Sequence, residues 1–237
     1  MVSGMAYEGL WRKEVTRSFL VLNLMRYEPT GAIVASPTCS LPESNGGTRN
    51  WDYRYSWLRD SSFVMETFYR IGCTKGADRY LEWLLRQCKV TSRKTKVLYG
   101  ICSNSSLKEN RLSHLEGYAG AGPVRIGNEA ASHLQLDVFG EVILSLYTLW
   151  RKEGVLGGDS WSLIQNFAEA VLNNWYRKDM GVWEVRGEKR HFVYSKVMCW
   201  AALDRAAILA KVLGRNNDSY KWRNVALCSK DEILRRG

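Results

Sequence analysis

Stretches of helically spaced apolar residues alternate with two kinds of connection, and that alternation restricts the fold more than any other property of the chain. A first helix from about residue 5 to 25 carries Trp11, Val15, Ser18, Leu22 and Met25. A second is marked by Phe63, Val64, Phe68 and Ile71, and a third follows Gly76 through Tyr80, Trp83, Leu84 and Gln87. The fourth, about Glu129 to Lys152, holds Leu134, Val138, Val142, Leu146 and Leu149, and the fifth Ile164, Phe167, Val171, Leu172 and Trp175. A sixth has Cys199, Leu203, Ala206, Ala210 and Leu213, and a seventh Trp222, Val225, Ala226 and Ile233. Spacings of three and four place each set on one face of a 3.6-residue helix.

Helices two and three, four and five, and six and seven are joined by short links holding Gly72 and Gly76, Gly154 to Gly158, and Gly214, as in tight antiparallel pairs. The other links, residues 26 to 57, 90 to 128 and 177 to 194, are long and rich in glycine, aromatics and charge. Antiparallel helices reverse direction each time, so the long links are expected at one end, where a scaffold displays binding loops. A repeat of roughly 70 residues per helical pair points to an inner and an outer ring, an α/α toroid, with an irregular α-solenoid as the alternative. The charge-poor sixth helix favours the toroid, because it suits an inner ring covered by outer helices.

The first long link contains Asn50-Trp51-Asp52-Tyr53-Arg54-Tyr55-Ser56-Trp57-Leu58-Arg59-Asp60. In an extended backbone Trp51, Tyr53, Tyr55 and Trp57 would share one face, which suits the flat apolar side of a sugar ring. Arg59 and Asp60 would add a fork of donors and an ionised acceptor, the complement of hydroxyls that both donate and accept. An amphipathic edge strand packed on a core has the same pattern.

The 237 residues, 46% hydrophobic, suffice for a substantial core in one domain or two small ones. No run reaches the roughly 18 uncharged apolar residues of a membrane span, and Glu8, Arg12, Lys13, Glu14 and Arg17 exclude a signal-peptide core, so a cytoplasmic location and no membrane partner are expected. The six cysteines lack a C-x-x-C pair and are expected as thiols. A net charge of +10 raises nucleic-acid binding as an alternative, but basic residues concentrate only at Lys89 to Lys96 and Lys230 to Arg236, which read as solvated faces. His114, His133 and His191 show no zinc spacing, and Gly120-Ala121-Gly122 is no dinucleotide loop, so neither metal nor cofactor is expected. Ser195 beside Lys196 reads as a helix start.

The segments Gly31 to Thr38, Gly47 to Tyr55, Pro123 to Asn128 and Gly181 to Gly187 resemble, in order and along essentially the whole chain, the signature blocks of family 15 glycoside hydrolases. That family contains glucoamylases, glucodextranases and bacterial-type trehalases. The resemblance implies an all-α (α/α)6 toroid, the six-hairpin barrel of twelve helices, incomplete here with about seven present. It implies that residues 1–237 are the N-terminal part of the catalytic domain, lacking the C-terminal part and the β-sandwich that precedes it in prokaryotic members.

Residue by residue, the resemblance implies that Glu184 is the general acid. Such an acid must stay protonated near working pH, and Val182 and Trp183 are expected to favour the neutral form while Arg186 opposes it. Arg59 and Asp60 correspond to the pair that grips the terminal non-reducing glucose, and Tyr53, Trp57 and Trp183 to substrate-contacting aromatics. Arg125 corresponds to a neighbouring sugar contact or equally to a loop brace, and Asp52 and Arg54 to a pair. No block resembles the general-base motif, Cys102-Ser103 stands where an acidic residue and glycine are expected, and His133 replaces glutamine. The implied activity is cleavage of an α-glucosidic bond in an oligosaccharide or disaccharide from the non-reducing end with inversion, glucoamylase-like. A trehalase of the same family and a non-catalytic carbohydrate-binding or regulatory module are the alternatives.

Overall fold

A computed structural model describes residues 5–90, 95–102, 106–184 and 186–236. Part of the basic run Lys89 to Lys96, Ser103, Val185 and Gly237 lie outside the described residues. The chain divides into two compact units, residues 1–132 and 133–237. Among the described residues no helix is long and apolar enough to cross a membrane, and the cysteines form no disulfide.

The first unit contains α1 (Arg12–Leu24), α2 (Leu58–Arg70) and α3 (Thr74–Val90) with three two-stranded antiparallel ribbons. These pair β1 (Cys39–Pro42) with β2 (Asn50–Asp52), β3 (Ser56–Trp57) with β4 (Leu98–Tyr99), and β5 (Asn110–Arg111) with β6 (Arg125–Ile126). The first helix starts later than its periodicity suggests because Ala6 N–H is bonded to Ile71 O at the end of α2, which takes the leading segment out of helical pairing. Gly76 lies inside α3 and not in the link before it. The unit's core gathers Phe19, Met65, Phe68, Tyr80, Trp83 and Leu84, all buried, with the Phe19 and Phe68 rings edge to face at 5.5 Å. The ribbons are the two long links folded onto one another: β6 packs against β1 and β2, and β4 pairs with β3. Gly127, at φ +76°, lies where a Cβ would meet Lys108 O at 2.0 Å, so only glycine permits this approach of the second link to itself.

The second unit is helical: α4 (Asp137–Glu153), α5 (Gly158–Leu172), α6 (Val193–Val212) and α7 (Asn216–Arg236). As its poverty in charge suggests, α6 is the central element, buried along most of its length and packed by α4, α5 and α7. Gly140 of α4 crosses α6 so closely that a Cβ there would lie 2.5 Å from Met198 O. By contrast α7 is largely exposed, burying Trp222, Ala226 and Ser229, and its basic end is a solvated face with an Arg236–Glu232 pair at 3.1 Å. Two boundaries differ from the sequence reading. Gly158 opens α5 instead of preceding it, and α4 begins at Asp137 instead of about Glu129. The start of α4 is delayed because the backbone at Leu134 and Leu136 bonds to the third long link.

Candidate functional site

The aromatic strip does not keep the single face that alternation predicts. Asp52 Oδ1 accepts from Arg54 N–H at 3.2 Å, an Asx turn that ends β2; Tyr53 and Tyr55 then bond to the backbone of Thr38, Ser36 and Ala35 before β3 begins at Ser56. The four rings separate accordingly. Trp51 lies under the Arg125 guanidinium, 4.6 Å away, and its Nε1 donates to Glu43. Tyr55 is buried and its hydroxyl donates to Ser106 O at 3.1 Å. Tyr53 and Trp57 remain together, centroids 6.0 Å apart, with Tyr53 partly exposed and Trp57 at 3%.

Trp57 is the residue before α2, and Arg59 and Asp60 occupy the first turn of that helix. An acidic side chain there is favoured by the N-terminal dipole. Arg59 is buried, Asp60 is half exposed, and Arg59 Nε lies 4.0 Å from Asp60 Oδ2. Beneath them Ser61 Oγ donates to Ile33 O at 3.1 Å and lies 3.0 Å from Ser56 Oγ, fixing the helix start on the first long link.

Asp52 and Arg54 pair with each other and with backbone. Arg54 Nε and Nη2 each donate to the Asp52 carboxylate at 2.9 Å, and Gly127 N–H donates at 3.1 Å. Burial opposes the Asp52 anion most strongly, but these donors together hold its carboxyl below the usual range. Arg125 has the contacts of a brace. Its Nη1 donates to Thr48 O at 2.9 Å and Asn50 O at 3.3 Å, and its Nε lies 3.2 Å from Glu109 Oε1. Ser40 Oγ bridges the Arg125 N–H and C=O at 2.7 and 2.6 Å.

In the second unit the link between α5 and α6 is pinched. Asp179 and Arg190 exchange both backbone hydrogen bonds, each 2.9 Å, and Glu184 lies on the tip beyond. A turn closed by Glu184 N–H to Gly181 O sets Glu184 at φ +53°, a left-handed conformation that non-glycine residues rarely adopt. Trp183 projects into solvent, 85% exposed, so it does not shield the carboxyl group as its position in sequence suggests. The turn carries successive side chains in different directions. Val182 is half-buried and Arg186 exposed.

Two residues near Glu184 carry no signal in the sequence. Gln135, buried just before α4, donates from Nε2 to Glu184 Oε1 at 2.9 Å. Asp179, also buried, accepts from Leu136 N–H at 2.9 Å, acting from the loop as a cap for α4. At the base of the same link, Trp175, Tyr176, His191, Phe192, Lys196 and Ser229 help line a cavity of about 400 Å³.

The family model described as Glycosyl hydrolases family 15 matches residues 9–236. The chain is 40% identical over 230 residues to a trehalase of Mycolicibacterium smegmatis, covering 96% of this chain and 34% of that protein. It is 39% identical over 233 residues to a trehalase of Thermoplasma acidophilum, covering 98% and 39%. The chain thus spans about a third to two fifths of the length of the curated relatives it matches. Among solved structures, a bacterial glucoamylase complexed with acarbose matches with a TM-score of 0.66 at 18% identity, covering 92% of this chain and 28% of that one. Glucoamylase from Saccharomycopsis fibuligera matches at 0.63 and 13% identity, covering 97% and 50%. These two are likenesses of fold, and they place the helices in the all-α (α/α)6 class, of which this chain carries part. With the family model covering nearly its whole length, the chain belongs to family 15 of the glycosyl hydrolases.

Proposed function

We propose that this chain is the acid-bearing, N-terminal part of the catalytic domain of a trehalose hydrolase. The observation that carries the reading is identity of 40% and 39% to proteins named trehalase across nearly the whole chain. Likeness to the glucoamylases, at 18% and 13%, is one of fold. Trehalose therefore takes precedence over α-glucan chain ends as the substrate.

In this reading Arg59 and Asp60 hold the hydroxyls of one glucose, Asp60 from its exposed side, and Tyr53 offers its ring with Trp57 backing it. The exposed ring of Trp183 contacts sugar, and Arg125 braces the loop that holds the grip. Glu184 gives its proton to the glycosidic oxygen. The bond to the anomeric carbon breaks with its electron pair on that oxygen, and a water adds from the other face. Inversion requires a second carboxylate about 6.5 to 9.5 Å from the acid to activate that water. That base is proposed to lie outside the part of the family that this chain spans.

The test is to join this chain to a base-bearing remainder of the catalytic domain, incubate that protein with trehalose and with maltose, and follow the anomeric proton signals. Inverting cleavage of trehalose releases one α- and one β-glucose per event, with maltose left largely intact. Faster turnover of maltose assigns a glucoamylase. Binding of either sugar without turnover by the protein that also carries the base assigns a non-catalytic carbohydrate-binding module.

A further inference from the structure

We propose that Gln135 is the positioning residue of the general acid: a buried neutral amide that holds Glu184 Oε1 and so sets the direction in which the carboxyl group presents its proton. The proposal rests on the reading of Glu184 as the acid. Gln135 is 1% exposed, and its Nε2 lies 2.9 Å from Glu184 Oε1. Its two neighbours are both tied to the acid's own loop. Leu134 O accepts from Met180 N–H at 3.0 Å, and Leu136 N–H donates to Asp179 Oδ2 at 2.9 Å. The Gln135 backbone is thereby anchored on each side to the stem that carries Glu184, so its amide is aimed by the fold and not by its own rotamer freedom.

The residue type suits the task. An ammonium or guanidinium at this place would hold Glu184 ionised and deprive it of the proton it must give. A second carboxyl would compete for the proton. A neutral amide donor serves both states, since Oε1 is a carbonyl acceptor while Oε2 is protonated and a carboxylate oxygen once the proton has gone to the glycosidic oxygen. The bond then becomes charge-assisted and stronger, so it favours the state reached after proton transfer. It also helps to keep Glu184 at φ +53°, which fixes where Oε2 points.

Gln135→Met keeps the side-chain length and removes the donor. On trehalose it is expected to lower kcat about 10- to 100-fold with KM within about twofold, and to move the alkaline limb of the pH–rate profile to higher pH. A second readout needs no turnover. The Gln135 side-chain amide resonances, assigned by their loss in Gln135→Met, should move with pH in the native chain and stop doing so in Glu184→Gln. Amide resonances that ignore pH, or follow it equally in Glu184→Gln, overturn the proposal. So does a Gln135→Met protein that loses thermal stability and activity together with the alkaline limb unmoved. A pH-responsive amide in a base-bearing protein that cleaves no glucoside keeps the Gln135–Glu184 pairing and rejects the trehalase reading instead.

Discussion

The long link that leads into α2 and the loop that carries Glu184 are held in different ways. Around Asp52 the first long link is fastened by buried charge: a two-bond pair with Arg54, the Gly127 N–H, and Arg125 between Trp51, Glu109 and backbone carbonyls. Around Glu184 the fastening includes backbone bonds and a neutral amide: the Asp179–Arg190 exchange, Met180 to Leu134, Leu136 to Asp179, and Gln135 to Glu184. Groups whose charge stays fixed throughout a reaction can be locked by ions. A group that must gain and lose a proton is better held by partners indifferent to its charge.

The sharpest way to break this comparison is through activity. Glu184→Gln should lower kcat on trehalose about 10²- to 10⁴-fold while leaving the thermal melt close to native. Asp52→Ala should do the opposite, costing about 2–3 kcal/mol of stability in urea unfolding, because the buried Gly127 N–H loses its acceptor while the half-exposed Arg54 recovers water. Acid should discriminate the two regions as well. With the folded Asp52 carboxyl below its ordinary 3.8, its contribution is present above that value and disappears as pH falls through the folded value. Asp52→Asn should therefore flatten the acid side of the stability–pH curve.

Smaller effects test the scaffold and the strained turn. Gly140→Ala forces a Cβ against Met198 O and should cost about 1–3 kcal/mol, read as a lower urea midpoint. Glu184→Gly relieves the left-handed φ, worth up to about 1 kcal/mol, but removes the acceptor of the buried Gln135 amide, so its melt should lie at or below native. The smallest change is chemical. Burial pushes the Cys199 thiol up to about 12, so alkylation at pH 8 should modify exposed Cys228 and spare Cys199 until the second unit unfolds.

Periodicity located the helices, though α1 buries only Phe19, outside the set read for it, and α6 could be recognised as an inner element from its lack of charge. Boundaries were misplaced where a distant backbone group intervened, as Ile71 O does for Ala6 and the acid loop does for Leu134 and Leu136. The aromatic strip was visible as composition but not as geometry, since a side-chain turn at Asp52 ends β2 between Trp51 and the aromatics that follow. Gln135 and Asp179 were out of reach for another reason. A polar residue between Leu134 and Leu136 has no local pattern that names a partner at position 184, and a helix cap supplied from a loop far along the chain leaves none of the usual signs at the helix start.

The paired bonds between Asp179 and Arg190 have a consequence for how such an enzyme can change. They hold the two ends of the span from 180 to 189 at one fixed mouth, so the tip behaves as an interchangeable part in a permanent socket. Residues can be inserted, removed or exchanged on the outer side of Glu184 without altering the spacing that α5 and α6 impose. In the proposed reading, a shift in preference from one leaving sugar to another can be accommodated in that short span, while Asp179 and Gln135 keep Glu184 at the same address.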